Sequence, residues 1–393
     1  MRGWRIFRIL GIDITVDLSW FFILALMVYS LGFLEFPREL APRAFRPRAD
    51  LLSIGLGIAT SLLLFGSVLA HELSHSWMAI QRGIPVKRIT LFIFGGVAQI
   101  AGEPDKPLTE FLIAIMGPLM SVALAALFGA VWLWAQIVDS TRWLGNALTP
   151  VILVTGILAQ ANGSLALFNL APGFPLDGGR VLRALLWGWS KNIRTATLWA
   201  TRLGQLIALG LIGLGIIPFL IDFFEIGNLL PFGFSLGNVW YALIGLFLWN
   251  AAGDGYRQTL LIDSLRQVTV RQLMSQPALT VAPNISLAEF VDGFLLHRRD
   301  QVFAVADELG FHGIIGIDHL RNTPRAQWNS RRVREMMTPR EKISAISPDE
   351  TAATALMQIN AAEGGELAVM EDHHLIGFLG QSELLRFLKL RAD

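Results

Sequence analysis

The sequence predicts a polytopic α-helical membrane protein of about six transmembrane helices, carrying a short membrane-associated β-hairpin and followed by a soluble α+β tail. Three observations predict it. Hydrophobic residues make up 53% of the 393-residue chain and the mean hydropathy is +0.52, beyond a soluble globular composition. The long apolar runs stop near residue 255, after which charged residues recur every few positions. The charged part then contains a repeat, in which Val270-Arg271-Gln272-Leu273-Met274 aligns with Val333-Arg334-Glu335-Met336-Met337.

The 32 basic and 31 acidic residues leave no broad field to attract nucleic acid, which is excluded as a partner. Absence of cysteine removes disulfides and thiolate ligands together, so a metal site would have to use histidine and carboxylate. Arg2, Arg5 and Arg8 open the chain, but Pro37 and charged residues follow the first apolar stretch where a signal peptide would place small residues. That stretch is read as a retained span.

Spans are expected near 18–35, 51–80, 109–136, 147–170, 196–221 and 230–252, about the length needed for roughly 30 Å of hydrocarbon. Basic residues gather at the amino terminus, at Arg82, Lys87 and Arg88, and at Arg180, Arg183, Lys191 and Arg194, which marks these segments as cytoplasmic. An even number of spans then places both termini and the tail in the cytoplasm. Arg38, Arg43, Arg46 and Arg48 run against that orientation, offset in part by Glu35, Glu39 and Asp50. With no transit-like leader, the membrane expected is a prokaryotic plasma membrane.

Between the second and third spans, residues 89–100 alternate weakly, are too few to span, and place Gly95-Gly96 where a strand can turn. A hairpin re-entering the membrane is expected there, with an ordinary cytosolic loop as the alternative. Met116-Gly117-Pro118 in the third span permits a bend or a close helix approach and is assigned to packing.

The chemistry lies in the second span, where His71-Glu72-Leu73-Ser74-His75 follows an apolar run. On a helix, residues four apart share a face, so both imidazoles can reach one Zn²⁺ while Glu72 stands beside it as a general base. Zinc lowers the pKa of bound water toward about 7, which suits hydrolysis of a peptide carbonyl. The alternative, a solvated helix face, fares poorly in a span, because ionisable groups there cost at least roughly 2.5 kcal/mol each. His71 and His75 are the only histidines in the first 290 residues, so a third ligand should be a carboxylate. Asp177 is the candidate. It lies in Asn169-Leu170-Ala171-Pro172-Gly173-Phe174-Pro175-Leu176-Asp177-Gly178-Gly179-Arg180, whose prolines and glycines break the helix, and broken backbone at membrane depth is tolerated where protein or a wet cavity surrounds it. The other reading of Asp177 is as N-cap of the helix that follows.

The pairing of HELSH in one span with NLAPGFPLDGG downstream resembles the site-2 protease family of intramembrane metalloproteases, over roughly residues 1–253. The resemblance implies one zinc per chain held by His71, His75 and Asp177, Glu72 activating water, and Asn169 steadying the oxyanion or the substrate backbone. It implies as substrates single-span membrane proteins, admitted sideways from the bilayer and cut within or near the span. In the family a β-rich loop at the hairpin's position lies near the site and pairs with unwound substrate.

In the tail the repeat continues, Phe303-Ala304-Val305 matching Leu367-Ala368-Val369 and Gly313-Ile314-Ile315-Gly316 matching His374-Leu375-Ile376-Gly377. Each unit reads helix, strand, helix, strand, strand, helix, and two units too small to bury a core alone should pack as a pair. The tail resembles a tandem CBS-domain pair, with repeats at about 267–326 and 330–391. The chain accordingly divides into a membrane core (1–253), a linker (254–266) and the tail (267–393). The resemblance implies an adenine nucleotide between the repeats, with homodimerisation through them or a gating role as the alternative. The nucleotide reading is weakened because the expected glycine, hydroxyl residue and acid become Gly377-Phe378-Leu379-Gly380-Gln381-Ser382-Glu383 and Gly316-Ile317-Asp318-His319. His297, His312, His319, His373 and His374 all lie in this tail, the adjacent pair reading as a turn. Tandem CBS tails also hang from channels and transporters, and such a protein, or an inactive membrane receptor, is the competing reading.

Overall fold

The chain enters through a hairpin. β1 (Trp4–Ile9) and β2 (Ile12–Val16) pair antiparallel about Leu10-Gly11, both at positive φ (52° and 80°). The sequence predicts no element over this stretch. One residue later Asp17 caps α1 (Leu18–Tyr29), its carboxylate accepting the Ser19 N–H at 3.0 Å. A π-helical turn at Ser30–Glu35 leads into α2 (Phe36–Leu40). The computed structural model describes residues 3–40, 50–93, 95–100, 102, 104–141, 147–223, 236–275, 280–296, 302–308, 310–320, 323–361, 366–372 and 374–392. Arg43, Arg46 and Arg48, His297 and His373, and the start of the sixth expected span lie outside the described residues.

α3 (Leu51–Gln81) carries the two-histidine motif. It starts in a reciprocal cap, the Asp50 carboxylate accepting the Ser53 N–H at 2.7 Å while the Ser53 hydroxyl accepts the Asp50 N–H at 3.0 Å. The Ser53 hydrogen bonds hold the Asp50 carboxyl below the usual carboxylate range. The helix stops where Gly83 takes φ 78° and the Ile84 N–H turns back to the Ala79 carbonyl at 2.9 Å. The chain then forms β3 (Val86–Phe92) and β4 (Gly95–Ile100), the expected hairpin. β3 also pairs parallel with β2, giving one sheet of order β1-β2-β3-β4. Ile12 and Ile14 of β2 and Val86 and Ile89 of β3 pack on Ala79 of α3 and on Ile113, so the sheet lies along the motif-bearing half of α3.

Four long helices and one short one complete this part: α4 (Pro107–Ser140), α5 (Thr149–Asn169), α6 (Asp177–Ser190), α7 (Ile193–Phe223) and α8 (Leu236–Arg266). Among the described residues five segments are long and apolar enough to cross a membrane: Leu18–Leu40, Leu51–Gln81, Pro107–Ser140, Thr149–Asn169 and Ile193–Pro218. The sixth expected span is not among them. Its described part is the start of α8, where Asn250 and Asp254 interrupt the apolar run and the helix continues to Arg266.

The chain divides into two compact units, Met1–Thr259 and Leu260–Asp393. The second has the repeated order expected of it: α9 (Val270–Leu273), β5 (Thr280–Val281), α10 (Leu287–Phe290), β6 (Val302–Asp307), β7 (Gly310–Gly316) and α11 (Ile317–Leu320). There follow α12 (Val333–Met336), β8 (Thr338–Pro339), β9 (Ala345–Ile346), α13 (Ala352–Ala361), β10 (Glu366–Glu371), β11 (His374–Gly380) and α14 (Gln381–Ala392). The register corrects one alignment. Gly313 faces Val305 as Gly377 faces Val369, so Gly313-Ile314-Ile315-Gly316 corresponds to Gly377-Phe378-Leu379-Gly380 and not to residues 374–377. The repeats exchange edges: β8, from the second, pairs with β7 of the first, and Ser275, from the first, bridges Phe378 of the second. Val270 and Met274 likewise sit in the core built from α13, β10 and β11. Neither repeat closes its core alone.

In the membrane part, helix approach depends on glycine. A Cβ on Gly57 of α3 would lie 2.7 Å from the Gly32 backbone, so the two main chains touch, as small residues allow in membrane interfaces. Gly57→Val is expected to lower stability by about 1–3 kcal/mol, the usual effect of overpacking, read as an earlier thermal transition in detergent.

Candidate metal centre

His71 and His75 lie one turn apart on α3 and are 3% and 4% exposed. Their Nε2 atoms are 3.3 Å apart, and each is 3.1 Å from Asp177 Oδ2. The ring nitrogens facing away are tied down: His75 Nδ1 lies 2.7 Å from the Ile113 carbonyl and His71 Nδ1 lies 2.9 Å from the Ser121 hydroxyl. A carbonyl only accepts, so His75 carries a proton on Nδ1 and its neutral form turns the Nε2 lone pair inward.

The donor set fits zinc. Ligands at 2.0–2.1 Å in a tetrahedron stand about 3.3 Å apart, close to the three separations here. Two imidazole nitrogens and one carboxylate oxygen are the chemistry zinc takes in a cysteine-free protein, and among the described residues this is the group of three that could hold a metal.

Several elements hold these atoms in place. Pro118 cannot donate to Ala114, which opens the α4 ladder beside Ile113, the carbonyl that receives His75. Gly117 precedes that proline, and a Cβ there would lie 2.7 Å from His71 Nε2 and 2.6 Å from His75 Cε1. The assignment of Met116-Gly117-Pro118 to helix packing is therefore incomplete, because Gly117 is the wall of the site. Asp177 is the first residue of α6, with Leu176 in the cap position, so the N-cap reading does not apply. The loop before it packs through bare backbone. Cβ atoms on Gly178 and Gly179 would overlap the main chain of residues 170–174, and one on Gly204 of α7 would overlap Phe174. The Phe174 N–H donates to the Ala200 carbonyl at 3.0 Å.

Glu72 is half-buried beside the histidines, and a Cβ on Gly96 of β4 would lie 3.2 Å from its Cδ. The hairpin thus brings its backbone against this side chain. Asn169 is the last residue of α5 and half-buried. Three further features go beyond the sequence reading, in which Arg183 served only as a topology marker. Ser121 orients His71. Asn162, fully buried, donates to Ser67 Oγ at 3.2 Å, one turn before His71. Buried Arg183 of α6 pairs with buried Glu110 of α4, donates to Thr259 Oγ1 at 3.3 Å and stacks 5.1 Å over the Phe174 ring. A charged residue just inside a span was the available signal for Glu110.

The sequence model of peptidase family M50 matches residues 59–211, which contain the two histidines and Asp177. The Rip3 protein of Mycobacterium tuberculosis (H37Rv) is 31% identical over 386 residues, 97% of this chain and 91% of that protein. The chain belongs to peptidase family M50. The sll0528 protein of Synechocystis is similar over 99% of this chain and 96% of its own length at 30% identity. The zinc metalloprotease MJ0392 of Methanocaldococcus jannaschii is 27% identical over 98% of this chain and 96% of its own. A solved site-2 protease from Methanocaldococcus jannaschii covers 64% of this chain at 24% identity with a TM-score of 0.39. This M50 chain is an integral-membrane zinc metalloprotease, and the channel or transporter reading is set aside.

The wall formed by Gly117 gives a direct check. Gly117→Ala is expected to leave the purified protein without zinc, because the added methyl occupies the space between the two Nε2 atoms. Metal analysis beside a thermal transition close to wild type separates this from misfolding.

Proposed function

We propose that the chain is an intramembrane protease that hydrolyses a peptide bond within or near the spanning segment of single-span membrane proteins. The convergence at 3.1–3.3 Å of Asp177, at the start of α6, on His71 and His75 of α3, a helix apolar enough to cross a membrane, carries this reading. These three residues hold one zinc ion, which supplies, when bound, a Lewis acid able to acidify water and polarise a carbonyl. Glu72 takes the proton from the attacking water as general base and delivers it to the leaving amine. Asn169 steadies the oxyanion or the substrate backbone.

A helical substrate hides its scissile amide in its own hydrogen bonds, so part of it must be held extended. β4 is an edge of its sheet, and its Gly96 packs against Glu72. A segment added along β4 as a further strand would pass the general base. With the amino terminus cytoplasmic, α3 runs inward and His71 falls toward its cytoplasmic third, so cleavage releases a cytosolic fragment. The membrane in this reading is a prokaryotic plasma membrane.

Purified protein is expected to carry about one zinc per chain, lost in His71→Ala and Asp177→Ala. Glu72→Gln should keep zinc and cut a reconstituted single-span protein roughly 10²–10⁴ times more slowly. Helix-breaking residues at the cut site should raise the rate. A wild type that stays free of zinc under metal-replete conditions, or a Glu72→Gln variant of undiminished activity, overturns the reading.

For the tail, the residues at the strand ends and in the cleft weigh against nucleotide binding. The position three residues after each strand-end glycine is used locally, the Gly316 N–H donating to His319 Nδ1 at 3.1 Å and the Gly380 N–H to Glu383 Oε2 at 3.0 Å. Arg271, in a cleft it shares with Asp307, Glu371 and His374, is already paired with Glu371, whose carboxyl it holds below the usual range. Millimolar AMP or ATP is expected to leave the thermal transition of the full chain unmoved, and a concentration-dependent upward shift overturns this.

A further inference from the structure

The β1–β2 hairpin is two-faced, and an irregularity in its register makes it so. The pairs are Trp4↔Val16, Arg5↔Thr15, Phe7↔Ile14, Arg8↔Asp13 and Ile9↔Ile12, with Ile6 left over as a bulge. Directly paired residues share a face, and the extra residue resets the alternation of β1. Trp4, Phe7 and Ile9 therefore share the face of Ile12, Ile14 and Val16, while Arg5 and Arg8 share that of Asp13 and Thr15. A regular strand would have set Trp4 and Phe7 on opposite faces. The polar assignment agrees with the contacts, since Arg5 and Arg8 approach Asp13 at 3.6 and 3.7 Å and Arg8 Nε donates to the Gly11 carbonyl at 3.0 Å.

The two halves of the apolar face differ. Ile12, Ile14 and Val16 are buried, whereas every residue of β1 is exposed, Trp4 at 59%. The tip adds Leu10, 62% exposed in a left-handed conformation that favours glycine or asparagine over leucine. An exposed apolar edge strand is an aggregation hazard in water. What adjoins it is lipid-facing surface: the Trp4 ring meets Phe21 edge-on at 6.2 Å, and Phe21, Leu18 and Phe22 are exposed on α1, part of the first segment apolar enough to span. The apolar face of β1 continues that surface without a break in chemistry.

We propose that the β1–β2 hairpin is an interfacial membrane anchor, with Trp4, Phe7, Ile9 and Leu10 at the boundary of the acyl chains and Arg5 and Arg8 on the phosphates of anionic lipid. Two arginines against one aspartate leave the polar face with a net positive charge, and aromatic residues with flanking arginines are the side chains that settle at a bilayer interface. The occupant of the surface is thus the bilayer that α1 crosses, and the inference is independent of the proteolytic mechanism.

The natural absence of cysteine makes the test direct. Full-length protein carrying Leu10→Cys, spin-labelled and reconstituted in vesicles, is compared with Leu127→Cys on the exposed face of α4 and with Asp349→Cys in the tail, as acyl-chain and aqueous references. The label at 10 is expected to lose accessibility to a water-soluble nickel chelate and to gain collisions with oxygen, as at 127. Adding phosphatidylglycerol to phosphatidylcholine should immobilise it further, and Arg5→Gln with Arg8→Gln should abolish that lipid dependence. Nickel accessibility equal to that at 349 overturns the anchor. Burial without dependence on phosphatidylglycerol overturns the phosphate contacts.

Discussion

The structure of the membrane part depends on keeping two imidazole nitrogens and a carboxylate oxygen within 3.3 Å of one another inside apolar helices. The histidines satisfy this locally, because residues four apart on a helix share a face. Asp177 does not, since it stands 102 and 106 residues away in the chain. Everything that fixes α6 and its preceding loop against α3 therefore bears on the site. The loop sits on α7 through Gly204, the first turn of α6 sits on the loop through Gly178 and Gly179, and α4 faces the histidines through Gly117. At each of these contacts backbone rather than side chain fills the space, which removes rotamer freedom from the wall of the site.

Polar groups around these three side chains follow from the same constraint. An unpaired ionisable group in this environment is costly, and a buried pair that loses one partner is destabilised by roughly 3–5 kcal/mol. Arg183 and Glu110 meet that condition together, six residues beyond Asp177 on one side and at the first turn of α4 on the other. Arg183 also covers the Phe174 ring, so one side chain ties α6, α4 and the Asp177 loop. Ser121 and the Ile113 carbonyl set the far nitrogens of the histidines, which fixes ring orientation before a metal arrives.

What was legible in the sequence was what has a period or a chemical signature. Helical spacing gave the histidine pair, a helix-breaking run gave Asp177, and the glycine pair gave the β3–β4 hairpin. The repeated order of the tail was legible because both copies keep their strand patterns, although the two G-x-x-G strand ends were set three residues out of register. The role of Gly117 was not legible, since a glycine before a proline in a span looks the same whether it faces a helix or a metal site. β1 and β2 were hidden for a related reason. A bulge at Ile6 breaks the alternation by which a strand is recognised, and the arginines read as a topology signal. The sixth expected span is described only in part, from Leu236, and its described part carries Asn250 and Asp254 in the same helix.

The four-stranded sheet shows why a fold of membrane helices carries strands at all. A sheet has two edges, and within lipid an open edge would leave backbone groups unpaired. Here the two edges differ in chemistry. β4 lies where its backbone meets Glu72, and in the proposed function an edge left open there offers hydrogen bonds to an extended chain at the point where a helical substrate must give up its own. β1 is bulged and carries two arginines, features that blunt strand pairing, while its apolar face extends the exposed apolar surface of α1. In the proposed reading, one edge recruits a strand and the other repels one. Because β2 and β3 couple the two edges in a single sheet packed on α3, the depth at which β1 settles in the bilayer also sets the depth of β4 and of the histidines beside it.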